Sequence, residues 1–428
     1  MNTEKIDFKS LGGPQVLAYS GAINDLPSLL HNEGIKKVFI FADKNTYKAA
    51  GERVESLLAS SGILTNKYIF SGERIEPNES AVGLAAMKFD PSADAVIGVG
   101  SGVINDISKI IANISERKYI VVGTAPSMDG YASATSSMSI EGLKVSLPSK
   151  CADIIVGDTE ILRAAPMKMM LSGLGDMLAK YIAIAEWRIS NIINGEPINE
   201  EVAAMVRASL KKCVDNAEGL LRRDREAIEA VFSGLVLCGM AMKLAGTSRP
   251  ASGIEHYISH IWDMRGEEFG TPVELHGIQC AVGSYIAAGI YEKLKAASPD
   301  KEKALGYTES FDYEKWAEEL RSFLGKGAET MIALEKKEGK YDKKKHALRL
   351  DTVIEKWDDI LAVIEEEIPT LKALDELYEK VGLPKTMEQI GMDKTILPMT
   401  FKATKDIRDK YVLSRLCFDL GVIEELEF

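Results

Sequence analysis

Two kinds of hydrophobic pattern follow one another along the chain. Up to about residue 165, short apolar runs of strand length alternate with stretches of helical spacing. Lys37–Asp43 is an apolar run that ends on a polar residue, and residues 46–60 carry helical spacing until Ser61 and Gly62 stop it. A weaker strand is predicted over 68–70, and a helix capped by Ser80 over 80–89. The strongest strand is 94–100, followed by a helix over 105–115 and strands at 119–122 and 152–156. This strand–helix rhythm predicts an α/β domain with a mostly parallel sheet. Residues 139–145 predict a hairpin turning at Glu141-Gly142. From Met167 the spacing is helical almost throughout, notably over 201–221, 227–245 and 277–293. The expected organisation is therefore an α/β domain over 1–165 and an all-helical domain over 166–428. Residues 296–350, rich in lysine and glutamate, read as a solvated helical insertion or as a partner surface.

Composition narrows the class. At 428 residues the chain exceeds what one core normally supports. A net charge of -12 argues against nucleic acid or an anionic membrane as partner. The opening Met1–Asp7 has no leader pattern, and no stretch reads as membrane-spanning, so a cytoplasmic protein without membrane insertion is expected. Five scattered cysteines with no C-x-x-C read as reduced thiols.

The candidate chemistry lies in both regions. Three of the five histidines fall close together, at His256, His260 and His276. On a helix, His256 and His260 project from one face, and a chain reversal would bring His276 to them, so the spacing gives a three-histidine metal cluster. Ordinary surface or hydrogen-bonded histidines are the competing reading. Asp176, after Gly173 and Gly175, is either a carboxylate ligand or a helix cap. In the first region, Gly98, Gly100, Ser101, Gly102, Val103 and Ile104 form a glycine turn between strand and helix, where main-chain N–H groups and the helix dipole suit a pyrophosphate. Thr124, Ser127, Asp129 and Ser133 follow the next strand at the same sheet edge. Asp129 is a substrate contact or simply turn chemistry, and Asp43 a ribose ligand or a cap. Arg249 can take a phosphate or cap a helix, and Cys280 is a fourth ligand or a buried thiol.

These residues carry a resemblance. Gly98 to Asp106, Thr124 to Asp129 with Ser133, Gly173 to Lys180, Ser248 to His260 and Leu275-His276-Gly277 resemble, in order, the blocks of the sn-glycerol-1-phosphate dehydrogenases, including their AraM-like bacterial branch, within the iron-alcohol-dehydrogenase and dehydroquinate-synthase superfamily. Where many relatives have three consecutive glycines this chain has Gly98-Val99-Gly100, and 296–350 makes it longer than typical members.

The resemblance implies that Asp176, His256 and His276 bind a divalent metal, zinc or nickel. It moves His260 from metal ligand to substrate, where Asp129 and Asp176 also act, with Asp176 and His260 catalytic. Gly100, Ser101, Gly102, Val103, Ile104, Thr124, Ser127 and Ser133, with Asp43 on the ribose, would hold NAD(H) or NADP(H). The implied reaction is reduction of dihydroxyacetone phosphate to glycerol 1-phosphate for phospholipid biosynthesis, by a homo-oligomer with a phosphorylated triose or glycerol substrate. The metal would polarise the carbonyl, and His260 would relay the proton. Rival readings are a glycerol dehydrogenase-like polyol dehydrogenase, a dehydroquinate-synthase-like cyclisation, and a non-catalytic nucleotide-binding protein.

Overall fold

In the computed structural model the described residues are Lys9, 12–72 and 75–428; the Met1–Asp7 segment read above for a leader lies outside them. Six strands form one parallel sheet, in the order β1-β8-β5-β4-β2-β3. They are β1 (Gln15–Tyr19), β2 (Lys37–Asp43), β3 (Leu64–Phe70), β4 (Ala95–Gly100), β5 (Lys118–Gly123) and β8 (Ile154–Asp158). The central strands are continuous apolar runs because helices cover a parallel sheet on both faces. All six residues of β4 are buried. On one face Val38, Ile40, Ile97, Val99, Ile120 and Val156 pack with Leu26, Leu30, Val54 and Leu58 from the covering helices.

The two edge strands explain where sequence pattern falls short. β1 buries only Leu17 and was not predicted; β3 begins at Leu64, four residues before the expected strand, and its early residues, none of them buried, leave no apolar run to read. Asn78, not Ser80, caps the Glu79–Lys88 helix, accepting from the Ala81 N–H at 3.0 Å. The hairpin forms as expected from β6 (Thr135–Ile140) and β7 (Leu143–Pro148). Glu141 and Gly142 both have positive φ, 50° and 78°, as a two-residue hairpin turn demands.

The chain divides into two compact units: residues up to Ile140 with Val145–Met177 and Ala208–Gly246, and Glu141–Lys144 with Leu178–Arg207 and Thr247–Phe428. This differs from a single cut at 165/166. The Arg225–Ala245 helix belongs with the sheet, since its Phe232 ring lies so close to Gly157 of β8 that a Cβ there would come within 2.1 Å of it. That helix is also long and apolar enough to cross a membrane, contrary to the sequence expectation, yet 72% of its apolar window is buried inside the structure.

The second unit is helical. Its lysine- and glutamate-rich part forms the helices Lys301–Glu309, Tyr313–Leu324, Gly327–Glu338 and Lys343–Glu355. Asp300, Asp312 and Asp342 cap three of them, each accepting a main-chain N–H. Trp316, Leu320, Leu324, Met331, Ile332 and Leu350 are buried, so these helices are amphipathic, with most of their charge on the outer faces and Glu335 buried.

Candidate metal centre and nucleotide edge

The histidine cluster is assembled by two helices of the second unit, Ile254–Phe269 and His276–Lys295. His256 and His260 share one face of the first, and His276 opens the second. The ring centroids lie 4.9 Å apart for His256–His276, 5.9 Å for His260–His276 and 6.4 Å for His256–His260. Within this unit, nitrogen, sulfur and oxygen atoms able to bind a metal come within 4.8 Å of one another in two sets: His256, His276 and Cys280, and His260, Asp263 and His276.

The surroundings distinguish the three imidazoles. His256 Nδ1 lies 2.9 Å from Glu255 Oε1, which also accepts the Gly253 N–H at 2.7 Å. His276 Nδ1 lies 3.0 Å from Ser259 Oγ, itself held by Gln279 Nε2 at 2.8 Å. His260 Nδ1 is buried and has no hydrogen-bond partner among the described residues. Burial first, then the Arg408 guanidinium and the other two imidazoles, push His260 well below the usual histidine range. Cys280 Sγ lies 3.5 Å from His276 Nε2.

A second tier supports the helix start. Gly253 has no side chain to cap the helix, and Glu186 takes that place, accepting the Ile254 N–H at 2.9 Å and the Leu413 N–H at 2.7 Å. A Cβ on Gly253 would sit 2.6 Å from Glu186 Oε2 and 2.8 Å from Glu255 Oε2, so only glycine admits both carboxylates. Burial and the nearby Glu255 charge push Glu186 up to about 8. Glu186, Glu255, Ser259 and Gln279 were not singled out from sequence; the one available signal was Glu255 standing directly before His256.

Arg249 is not available for a phosphate. Its guanidinium, 1% exposed, donates to Glu196 at 2.8 and 2.6 Å and to the Tyr411 carbonyl at 2.9 Å.

In the first unit, Asp176 lies inside the Met167–Asn194 helix, fully buried, and therefore is not the helix cap of the alternative reading. The glycine three residues before it has a packing role, for a Cβ on Gly173 would fall 1.8 Å from the Pro126 carbonyl oxygen. That close approach seats the 124–129 loop on the helix. Asp176 Oδ2 accepts the Asp129 N–H at 2.9 Å, and Ser172 Oγ donates to the Ser127 carbonyl at 3.0 Å. Thr124, Ser127, Asp129 and Ser133 are buried along this loop.

The glycine turn joins β4 to the Gly102–Ile114 helix. Gly98 and Gly100 are set by packing: a Cβ on either would clash with Tyr119 and Ser108, or with Ile104. Gly102 has space, its nearest neighbour being Met128 Cγ at 3.5 Å, and Ser101 and Val103 are half-buried beside it. Asp43 ends β2 in a capping box, accepting from Asn45 and Thr46 N–H at 2.7 and 2.8 Å.

Residues 18–166 match the family model of iron-containing alcohol dehydrogenases. The glycerol-1-phosphate dehydrogenase [NAD(P)+] of Halalkalibacterium halodurans is 31% identical over 274 residues, 63% of this chain and 69% of that one. The chain belongs to the glycerol-1-phosphate dehydrogenase family. The family likeness extends through the charged helices: the Geobacillus thermodenitrificans enzyme of the same name is 26% identical over 399 residues, 92% of this chain and 89% of that one. The fold is also that of a glycerol dehydrogenase from Schizosaccharomyces pombe, with a TM-score of 0.63 at 17% identity over 96% of this chain and 89% of that one.

Proposed function

We propose that this chain is a metal-dependent sn-glycerol-1-phosphate dehydrogenase, reversibly reducing dihydroxyacetone phosphate with NADH or NADPH. As a member of its family it is an NAD(P)-dependent oxidoreductase acting on a CH–OH group. The observation that carries the site assignment is the unequal fixing of the three imidazoles. Metal-bound histidines characteristically give their other ring nitrogen to a carboxylate, hydroxyl or carbonyl. His256 has Glu255 and His276 has Ser259 in that place, whereas His260 Nδ1 has none.

His256 and His276, with the buried carboxylate of Asp176, are the metal ligands in this reading. Two imidazoles and one carboxylate suit zinc or nickel and leave a position for substrate. The bound metal supplies Lewis acidity toward the substrate oxygen, and the nicotinamide supplies the hydride. Glu255 and Ser259 fix the ring orientation of their histidines. His260, neutral because it is buried among cations, holds and passes a proton, and Asp129 orients the substrate. The nicotinamide dinucleotide lies along Gly100, Ser101, Gly102, Val103, Ile104, Thr124, Ser127 and Ser133, where Gly102 leaves room for it, with Asp43 toward the ribose. The protein works in the cytoplasm as a homo-oligomer.

The test is NADH and NADPH oxidation by metal-loaded protein with dihydroxyacetone phosphate against dihydroxyacetone. Chelator-sensitive oxidation that requires the phosphate is expected. Equal turnover of dihydroxyacetone would replace the reading with a polyol dehydrogenase.

A further inference from the structure

A cavity of about 210 Å³ in the helical unit collects positive charge in a chain whose net charge is -12. Lys340, Lys345, Arg349, Lys405, Lys410 and Arg415 line it, against the acids Glu196, Glu338 and Asp409. None of the three clustered histidines lines it.

Three neighbouring carboxylates are already engaged. Glu196 is held by Arg249 at 2.6 Å, and Asp419 takes both nitrogens of an Arg349 fork at 3.0 Å. Buried Asp406 takes Lys405 at 2.8 Å and the Tyr341 hydroxyl at 2.6 Å. The other cations are left with neutral partners. Lys410 Nζ donates to the Ser252 carbonyl at 2.7 Å, Lys345 Nζ to the Glu338 carbonyl at 2.9 Å, and Lys340 Nζ to the Lys405 and Arg408 carbonyls.

Arg415 is the decisive member. Its side chain is only 4% exposed, its guanidinium lies 5.2 Å from the Tyr341 ring and 5.0 Å from the Phe418 ring, and its nearest carboxylate oxygen is Asp419 Oδ1, 3.7 Å from Nε. Nη1 and Nη2 are buried with no hydrogen-bond partner among the described residues. A buried guanidinium with two unsatisfied nitrogens is costly, and a bidentate oxyanion is the group that matches its fork. Burial, then the Arg249 and Arg408 charges, push Lys410 down to about 7, and burial lowers Lys340 and Lys405.

We propose that this cavity binds a small phosphate anion, either free phosphate or the phosphoryl group of a metabolite, at a site separate from the histidine cluster. Arg415 grips two of its oxygens, and Lys340, Lys345 and Lys410 balance its charge. A dianion fits better than a carboxylate because Lys340, Lys345, Lys410 and Arg415 all line the one cavity.

The test is calorimetric titration of inorganic phosphate, and in parallel of methyl phosphate, at constant ionic strength into the wild-type protein, Arg415→Gln and Lys345→Glu. Saturable binding is expected in the wild type, weakened tenfold or more in both variants, while KM for dihydroxyacetone phosphate stays within twofold. Tighter binding of the ester would identify a metabolite as the natural ligand; tighter binding of inorganic phosphate would identify the free ion. Lys345 is exposed, so its variant decides the matter should Arg415→Gln fail to fold. Absence of saturable binding, unchanged binding in the folded variants, or a parallel rise in KM would overturn the proposal.

Discussion

The two units treat their conspicuous residues in opposite ways. In the sheet unit the glycines at 98, 100 and 173 are explained by close packing against Tyr119, Ile104 and the Pro126 carbonyl. In the helical unit the clustered histidines are made distinct from one another by their polar neighbours. A glycine-rich turn is thus an ambiguous sign of chemistry, because a tightly packed parallel sheet needs glycines anyway. Three convergent imidazoles, two of them held at Nδ1, are much harder to explain as packing.

Substitutions sharpen this contrast. The largest effect is expected for His256→Ala, which should abolish metal binding and lower kcat by more than ~1000-fold while circular dichroism stays native; metal retention at full stoichiometry would break the contrast. Glu255→Gln keeps the shape but weakens the hold on His256, and should cost about 10–100-fold in metal affinity measured by chelator competition. Unchanged affinity would reduce Glu255 to a helix-start residue. In the sheet unit Gly173→Ala should destabilise by at least ~1–3 kcal/mol through overpacking on Pro126, read as a lower denaturant midpoint. A neutral result there would mean that the loop yields easily.

Arg249→Met removes the buried partner of an ion pair whose Glu196 side chain is 28% exposed, and should cost roughly 1–3 kcal/mol through the lost charge-assisted hydrogen bonds, with KM for the phosphorylated substrate unchanged in the folded fraction. A selective rise in KM would return Arg249 to the substrate. A further effect concerns pH. Lys410 titrates near 7 when folded and near its ordinary value of 10.5 when unfolded. Between those values the unfolded chain binds more protons, so this lysine's contribution to stability rises with pH. Lys410→Met should therefore gain most on the wild type below pH 7 and least near pH 10; a gap independent of pH would refute the shift.

Much of this was legible in the chain. The apolar runs of β2, β4 and β5 are buried on both faces, and a doubly covered strand leaves the clearest pattern a sheet can leave. β1, a half-exposed edge, left none. Asp176 was recognisable as a candidate, but Gly173 and Gly175 made it look like a helix head, whereas the helix runs straight through them. The three histidines announced themselves by spacing. The difference in their surroundings did not, because Ser259, held by Gln279, meets the His276 ring only once two helices are packed together. Arg249 looked like a phosphate ligand because its partner Glu196 lies 53 residues away in sequence.

The most direct test of the site is a metal competition titration of His256→Ala, His276→Ala and His260→Ala against the wild-type protein. The first two variants should lose the metal, and His260→Ala should keep it with near-native affinity while losing turnover. Loss of metal in His260→Ala with retention in His276→Ala would contradict the account.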